Sequence, residues 1–260
     1  MIHTFRVFNS DRSTTTRHKA PYDLFSNAAM LGLLWLVYSA IRSVTADQFS
    51  TATGHASELL QFQASLGLPH EGDLQRVVTD QSTLVKAANI HYIAGHFPVT
   101  LIFLGWVWYR HRSSLARIRN TLIAITTVGL GVHMVFPLAP PRMLSGFVNT
   151  AKTVGPDPYE VPLAGAANQI AAMPSLHVGW ALLVALGIIW IRESRWRYLA
   201  LIHPAITAAV VVITGNHYLT DIAVAVAIVL GVWLAFGTVC TLIARSRSDY
   251  ARASILQNLL

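Results

Sequence analysis

Apolar runs long enough to cross a bilayer recur six times along this chain, at residues 24–41, 88–109, 121–138, 174–191, 198–215 and 219–240. A helix needs about 18 to 20 mostly apolar residues to span the hydrocarbon layer, and each run reaches that length. The pattern predicts an all-α polytopic membrane protein, a bundle of six transmembrane helices. Composition agrees, since 53% of the residues are apolar and 12% charged, which argues against a soluble fold. The net charge of +7 raises nucleic acid as a partner. The basic residues, however, sit in short clusters beside apolar runs, as membrane proteins place them, so nucleic-acid binding is set aside. The single cysteine, Cys240, allows no intrachain disulfide and leaves the redox compartment open.

The first run also resembles a signal peptide, because Arg12, Arg17 and Lys19 precede it and Tyr38-Ser39-Ala40 mimics a cleavage site. Its leading segment is long for a signal sequence, which favours a retained anchor. Orientation follows from the Lys and Arg of alternate loops, which the cytoplasmic side retains. One side receives Arg6, Arg12, Arg17 and Lys19, then Arg110, Arg112, Arg117 and Arg119, then Arg192, Arg195 and Arg197, then Arg245, Arg247 and Arg252. The other receives Arg42, Arg76, Lys86, Arg142 and Lys152. Both termini are therefore expected in the cytoplasm, and segments 42–87, 139–173 and 216–218 outside. A miscounted span would scatter the basic clusters over both sides. The domain plan is a disordered cytoplasmic tail at 1–23, a membrane domain at 24–240 and a second cytoplasmic tail at 241–260. Segment 42–87 reads either as one or two amphipathic helices lying in the interface or as a solvated loop.

Ionisable residues at span edges are costly to desolvate and so point to function. Three groups fall on the outward side. AAMPSLHVGWALL opens the fourth span; Pro174 suits the first helical position, with Ser175 to His177 in the first turn, whose free N–H groups and positive dipole attract anions. TGNHYLTDIAV joins the fifth and sixth spans; His217 and Asp221 stand at i and i+4, so the carboxylate accepts a hydrogen bond from one ring nitrogen and leaves the other to attack. FPLAPPRML follows the third span, and Arg142 there is suited to gripping phosphate oxygens. Each group alone also reads as interfacial packing. Together they bring a cation, an anion-binding helix start, two histidines and a carboxylate to one surface, a constellation suited to phosphoryl transfer.

These residues resemble the type 2 phosphatidic acid phosphatase superfamily, in particular its inositol phosphorylceramide synthase-like branch. Pro174-Ser175-Leu176-His177 is similar to the family's second motif, His217 and Asp221 to its third, and Ala139-Pro140-Pro141-Arg142 to the first motif of this branch. The similarity covers roughly residues 88–235. Leu176 stands where lipid phosphatases usually carry glycine, Val211 where they carry an arginine six residues before the third-motif histidine, and no lysine precedes Arg142 in the third span. The missing phosphate grips tilt the reading toward transfer of a substituted phosphate.

The resemblance implies that His217 attacks phosphorus while oriented by Asp221, and that His177 protonates the departing oxygen and later deprotonates the acceptor. Arg142, the N–H groups around Ser175 and Asn216 would bind the phosphate oxygens. No metal or other cofactor is expected; His91 and His96, five apart, match one helical face poorly and have no carboxylate beside them. Tyr92 and His96, at i and i+4, are read as pocket residues for the acceptor or headgroup, with interhelical hydrogen bonding as the alternative; Asn89, His91 and His133 are polar in the same spans. The expected partners are the bilayer, a lipid phosphate or phospholipid donor, and an alcohol or water acceptor. Transferase, lipid phosphate or polyprenyl pyrophosphate phosphatase, and non-catalytic transporter or scaffold are the functions left standing. The expected location is a bacterial plasma membrane, with the site on its extracytoplasmic face.

Overall fold

The structure is a computed structural model of the chain; it describes residues 32, 48–156 and 169–257, with side chains as far as 238. Its regular elements are helices: α1 (Phe49–Ser65), α2 (Glu71–Thr79), α3 (Ser82–Ala94), α4 (His96–Arg110), α5 (Arg112–Val135), α6 (Thr150–Val154), α7 (Leu176–Ile191), α8 (Ile202–Ile213) and α9 (Leu219–Gln257). A 3₁₀ turn, Arg195–Leu201, leads directly into α8.

Three stretches are long and apolar enough to cross a membrane: Arg112–Val135, Arg195–Ile213 and Leu219–Thr238. The α3 and α4 helices qualify only as a pair, bent by 43° at Gly95. The α7 helix is apolar but has 16 residues, about 24 Å at the α-helical rise, because Ser175 caps its start and Arg192 leaves it in extended backbone. The chain is thus a membrane-type helical protein with three helices long and apolar enough to cross a membrane among the described residues, or four if the bent pair is one span, where hydropathy predicts six over the whole chain. The expected span 24–41 and the tail 1–23 lie outside the described residues, apart from Gly32. The last helix continues beyond the expected span end at 240 to Gln257.

The α7 helix is the centre of the bundle, packed against α4, α5, α8 and α9. Leu122 and Ile125 of α5 meet Leu182 and Leu183 of α7 and Val229 of α9; Phe103 and Val107 of α4 meet Ile118 and Val184. Close approach of α4 depends on Gly187, where a Cβ would lie 2.4 Å from Phe103 Cζ. At the other end of the bundle from His177, the Arg117 guanidinium lies over the rings of Trp190 and Trp233, 4.8 and 4.5 Å from their centroids. Such cation–π contacts between apolar helices tie α5, α7 and α9 together.

The described part of segment 42–87, from Gln48 onward, is largely helical. Ala52 and Ala56 of α1 are buried with Leu138, Ala139, Ile170, Ala172 and Tyr218 in one cluster, and Ala139 N–H donates to the Ala52 carbonyl at 3.1 Å. The α1 helix packs on the rest of the chain through Ala52 and Ala56. Phe49, Phe62 and Val77 remain exposed on α1 and α2, as does Leu66 just past the end of α1.

Candidate functional site

The end of α5, the start of α7, the end of α8 and the start of α9 meet at one place. Gly215, at φ +66, reverses the chain after α8, and three backbone bonds fix the turn: Asn216 and His217 N–H donate to the Val211 carbonyl at 2.9 and 3.1 Å, and Arg142 N–H donates to the Gly215 carbonyl at 2.8 Å. A Cβ on Gly215 would lie 3.2 to 3.3 Å from Gln75 Nε2, Arg142 Cβ and the Val148 carbonyl, so this turn needs glycine for conformation and for space. Ser175 N–H donates to the Asp221 carbonyl at 3.3 Å, which joins α7 to α9.

His217 is buried, and its Nδ1 lies 2.7 Å from the Ala172 carbonyl and 3.3 Å from Asp221 Oδ2. A backbone carbonyl only accepts, so Nδ1 carries a proton, and in the neutral ring the lone pair is then on Nε2. The expected carboxylate orientation is present but shared: Ala172 makes the shorter bond. Asp221, 0% exposed, also accepts from Tyr218 N–H at 2.8 Å through Oδ2, as a third-position side chain reaching back to its helix's cap residue. Ala172 is itself held by a parallel bridge, with Leu138 N–H donating to the Ile170 carbonyl at 2.8 Å and Ala172 N–H to the Leu138 carbonyl at 3.1 Å. A backbone oxygen has no sequence signature, and only the fold places it.

Ser175, not Pro174, opens α7. Its Oγ accepts from Val178 N–H at 3.4 Å, and Pro174 precedes the cap. A hydroxyl that satisfies an orphan donor sets the start more strongly than a proline that merely tolerates it. His177 follows in the first turn. Its ring stacks on Tyr92 at 4.4 Å and 17°, lies 4.1 Å from His96, and meets His217 edge-on at 5.8 Å between centroids. Tyr92 and His96 belong to two helices separated by the bend at Gly95, yet both pack on His177. Leu176, at the position of the expected glycine, presses on α5 where Gly129 makes room; a Cβ there would lie 2.7 Å from Leu176 Cδ2.

Arg142 is buried, and its Nη1 donates to Asn216 Oδ1. The Asn216 amide also donates from Nδ2 to Thr214 Oγ1 at 2.8 Å. Asn216 thus contacts the guanidinium that the sequence reading expects to grip phosphate. Val211 is 0% exposed and offers its carbonyl to the turn in place of a cation. Tyr218 has no exposed surface and donates from its hydroxyl to the Ala139 carbonyl at 2.8 Å; burial and the Asp221 carboxylate push its phenol up, which keeps it a neutral donor.

Other polar residues of the spans make structural bonds. Asn89 Nδ2 donates to the Thr150 and Gly155 carbonyls at 3.0 and 3.1 Å, and a His133 Nε2 contact at 3.2 Å reaches the Pro174 carbonyl. Among the described residues no group of three or more His, Cys, Asp or Glu is placed to hold a metal. The structure therefore brings His177, His217, Asp221, Arg142, Asn216, Ser175, Tyr92 and His96 into one neighbourhood. Sequence reading missed Ala172, Tyr218 and Gly215; of these, the glycine two residues before His217 was the one visible signal.

A family model described as the PAP2 superfamily matches residues 57–235. Comparisons with curated proteins and with solved structures return no match.

Proposed function

The chain belongs to the PAP2 superfamily, and on that premise we propose that it cleaves a phosphoester of a lipid donor at the membrane through a phosphohistidine on His217, passing the substituted phosphate to an alcohol. Membership suggests phosphatase or phosphotransferase activity on phosphate esters. The observation that carries the finer reading is the fixed tautomer of His217, whose Nδ1–H is held by Ala172 and Asp221. In the first step the Nε2 lone pair forms a bond to phosphorus, the bond to the departing oxygen breaks, and His177 supplies the proton. In the second, the acceptor hydroxyl attacks phosphorus, its proton passes to His177, and the phosphorus–nitrogen bond breaks. Arg142 and the N–H groups of the first turn of α7 offset charge on the equatorial oxygens.

The preference for transfer rests on charge. A phosphodiester carries one negative charge and a phosphomonoester nearly two. With Val211 buried where phosphatases carry an arginine, the grip supplied by Arg142 suits the diester. The similarity to the inositol phosphorylceramide synthase-like branch points the same way. The apolar helices and the basic clusters support a plasma membrane setting with the site on the outer face.

Wild type and His217→Ala, purified in detergent, are incubated with radiolabelled phospholipids and polyprenyl phosphates, with and without candidate alcohols. The expected result is product and an acid-labile phosphoprotein from wild type alone, with headgroup transferred to the alcohol. Inorganic phosphate as the product with and without alcohol makes the protein a phosphatase. A folded His217→Ala that turns over like wild type removes the phosphohistidine.

A further inference from the structure

Two buried side chains outside every motif described above, Gln63 and Glu71, reach the helix that carries Asp221. Glu71 is 1% exposed and Gln63 2%. Glu71 stands at the start of α2, where it could serve its own helix, but His70 does that by accepting from Gly72 N–H. Glu71 Oε1 accepts instead from Leu219 N–H and from Gln63 Nε2, each at 2.8 Å. Gln63 Oε1 in turn accepts from Thr220 N–H at 3.1 Å and from the Thr220 hydroxyl at 2.9 Å. Leu219 and Thr220 are the first two residues of α9, and Asp221 is the third.

We infer that Glu71 and Gln63 are positioning residues for the His217–Asp221 pair, setting the start of α9 from a separate pair of helices, an inference that rests on the reading of His217 as the phosphate acceptor.

Helix starts leave donors without partners. Here Tyr218 N–H goes to Asp221, Leu219 N–H to Glu71 and Thr220 N–H to Gln63. Asp221 closes the cap bond at Tyr218 itself, so its direction is set by the same turn that Glu71 and Gln63 hold. Rotating that turn moves the Asp221 carboxylate off His217 Nδ1. A carboxylate is costly to bury, and the positive end of α9 offsets part of that cost here. Glu71 Oε2 and Asp221 Oδ1 are both buried with no hydrogen-bond partner among the described residues, so each carboxylate is held at this helix start through its other oxygen. The α1 and α2 helices thereby acquire a role in chemistry that their sequence, lying ahead of the motifs, does not announce.

The test uses the full-length protein in detergent with a phospholipid that wild type turns over. Glu71→Ala is expected to lower kcat per folded molecule about 10- to 100-fold with KM little changed, and to slow phosphoenzyme formation in parallel. Glu71→Gln is expected to restore most of the rate, because the amide oxygen accepts the same two bonds. If Glu71→Ala lowers thermal stability but leaves kcat per folded molecule at the wild-type value, Glu71 is a stabilising cap and the inference falls. It falls too if Glu71→Gln is as slow as Glu71→Ala. Should Glu71→Ala fail to fold, Gln63→Ala carries the test: a lower kcat at unchanged KM supports the inference, and an unchanged kcat ends it. His217→Ala run in parallel separates the two readings, since wild-type turnover by that variant removes the phosphohistidine itself, whereas its inactivity beside a fully active Glu71→Ala defeats the positioning role alone.

Discussion

At the scale of single residues the site is a set of shared bonds, and the sharing decides what substitutions do. Asp221→Asn removes the charge that faces His217 but leaves the Ala172 carbonyl on Nδ1 at 2.7 Å. The tautomer therefore survives, and the expected loss is about 10²-fold in the rate of phosphoenzyme formation, measured in a single turnover. A much larger loss, with folding intact, assigns the tautomer to Asp221 after all. Gly215→Ala acts differently. Its φ of +66 is unfavourable for a residue with a Cβ, and that Cβ would crowd Arg142 Cβ at 3.3 Å. The expected result is destabilisation of about 1–3 kcal/mol, read as a lower thermal midpoint, together with a raised KM as Arg142 shifts. The His217–Asp221 spacing and the Pro174–His177 motif are legible in the sequence because side-chain identity and helical spacing carry them. The Ala172 carbonyl is not, because any residue has one and only the Leu138 bridge brings this one to the ring.

Among the elements, α7 shows how far periodicity reads and where it stops. Its apolar run is evident, but its start depends on a hydroxyl bond from Ser175 and its length on Arg192, so a span that hydropathy draws over 174–191 becomes a 16-residue helix. The bend at Gly95 is similarly invisible to hydropathy, since both halves are apolar. Helix proximity, by contrast, is written in the small residues. At Gly187 a methyl would lie 2.4 Å from Phe103 Cζ, and small residues let apolar helices approach where lipid offers no hydrophobic drive for association. Gly187→Ala is therefore expected to destabilise by about 1–3 kcal/mol through overpacking. Phe103→Leu in the same chain should recover part of it. Thermal unfolding of the two single variants and the double variant measures this: additive losses would mean that the contact does not govern how α4 meets α7.

For the whole molecule, the meeting of four helix ends at His217 fixes a relative topology that the basic clusters then orient. The ends of α5 and α8 and the starts of α7 and α9 lie together, so Arg142, Ser175, Gly215 and Asp221 share one face. Arg112, Arg195 and Arg197 mark the ends opposite. Since the cytoplasmic side retains Lys and Arg, the site face is expected outside. The sequence holds one cysteine, Cys240, which makes the orientation directly measurable. With Cys240→Ser as background, Ser145→Cys beside the site loop and Ser194→Cys in the turn before Arg195 are each introduced, and intact cells are treated with a membrane-impermeant maleimide. Labelling at 145 without lysis, and at 194 only after lysis, is the expected outcome. The reverse pattern would put the phosphate chemistry on the cytoplasmic leaflet. Any lipid donor and acceptor would then have to be present on that leaflet, whereas the bond from His217 Nδ1–H to the Ala172 carbonyl, which depends on packing and not on orientation, would stand unchanged.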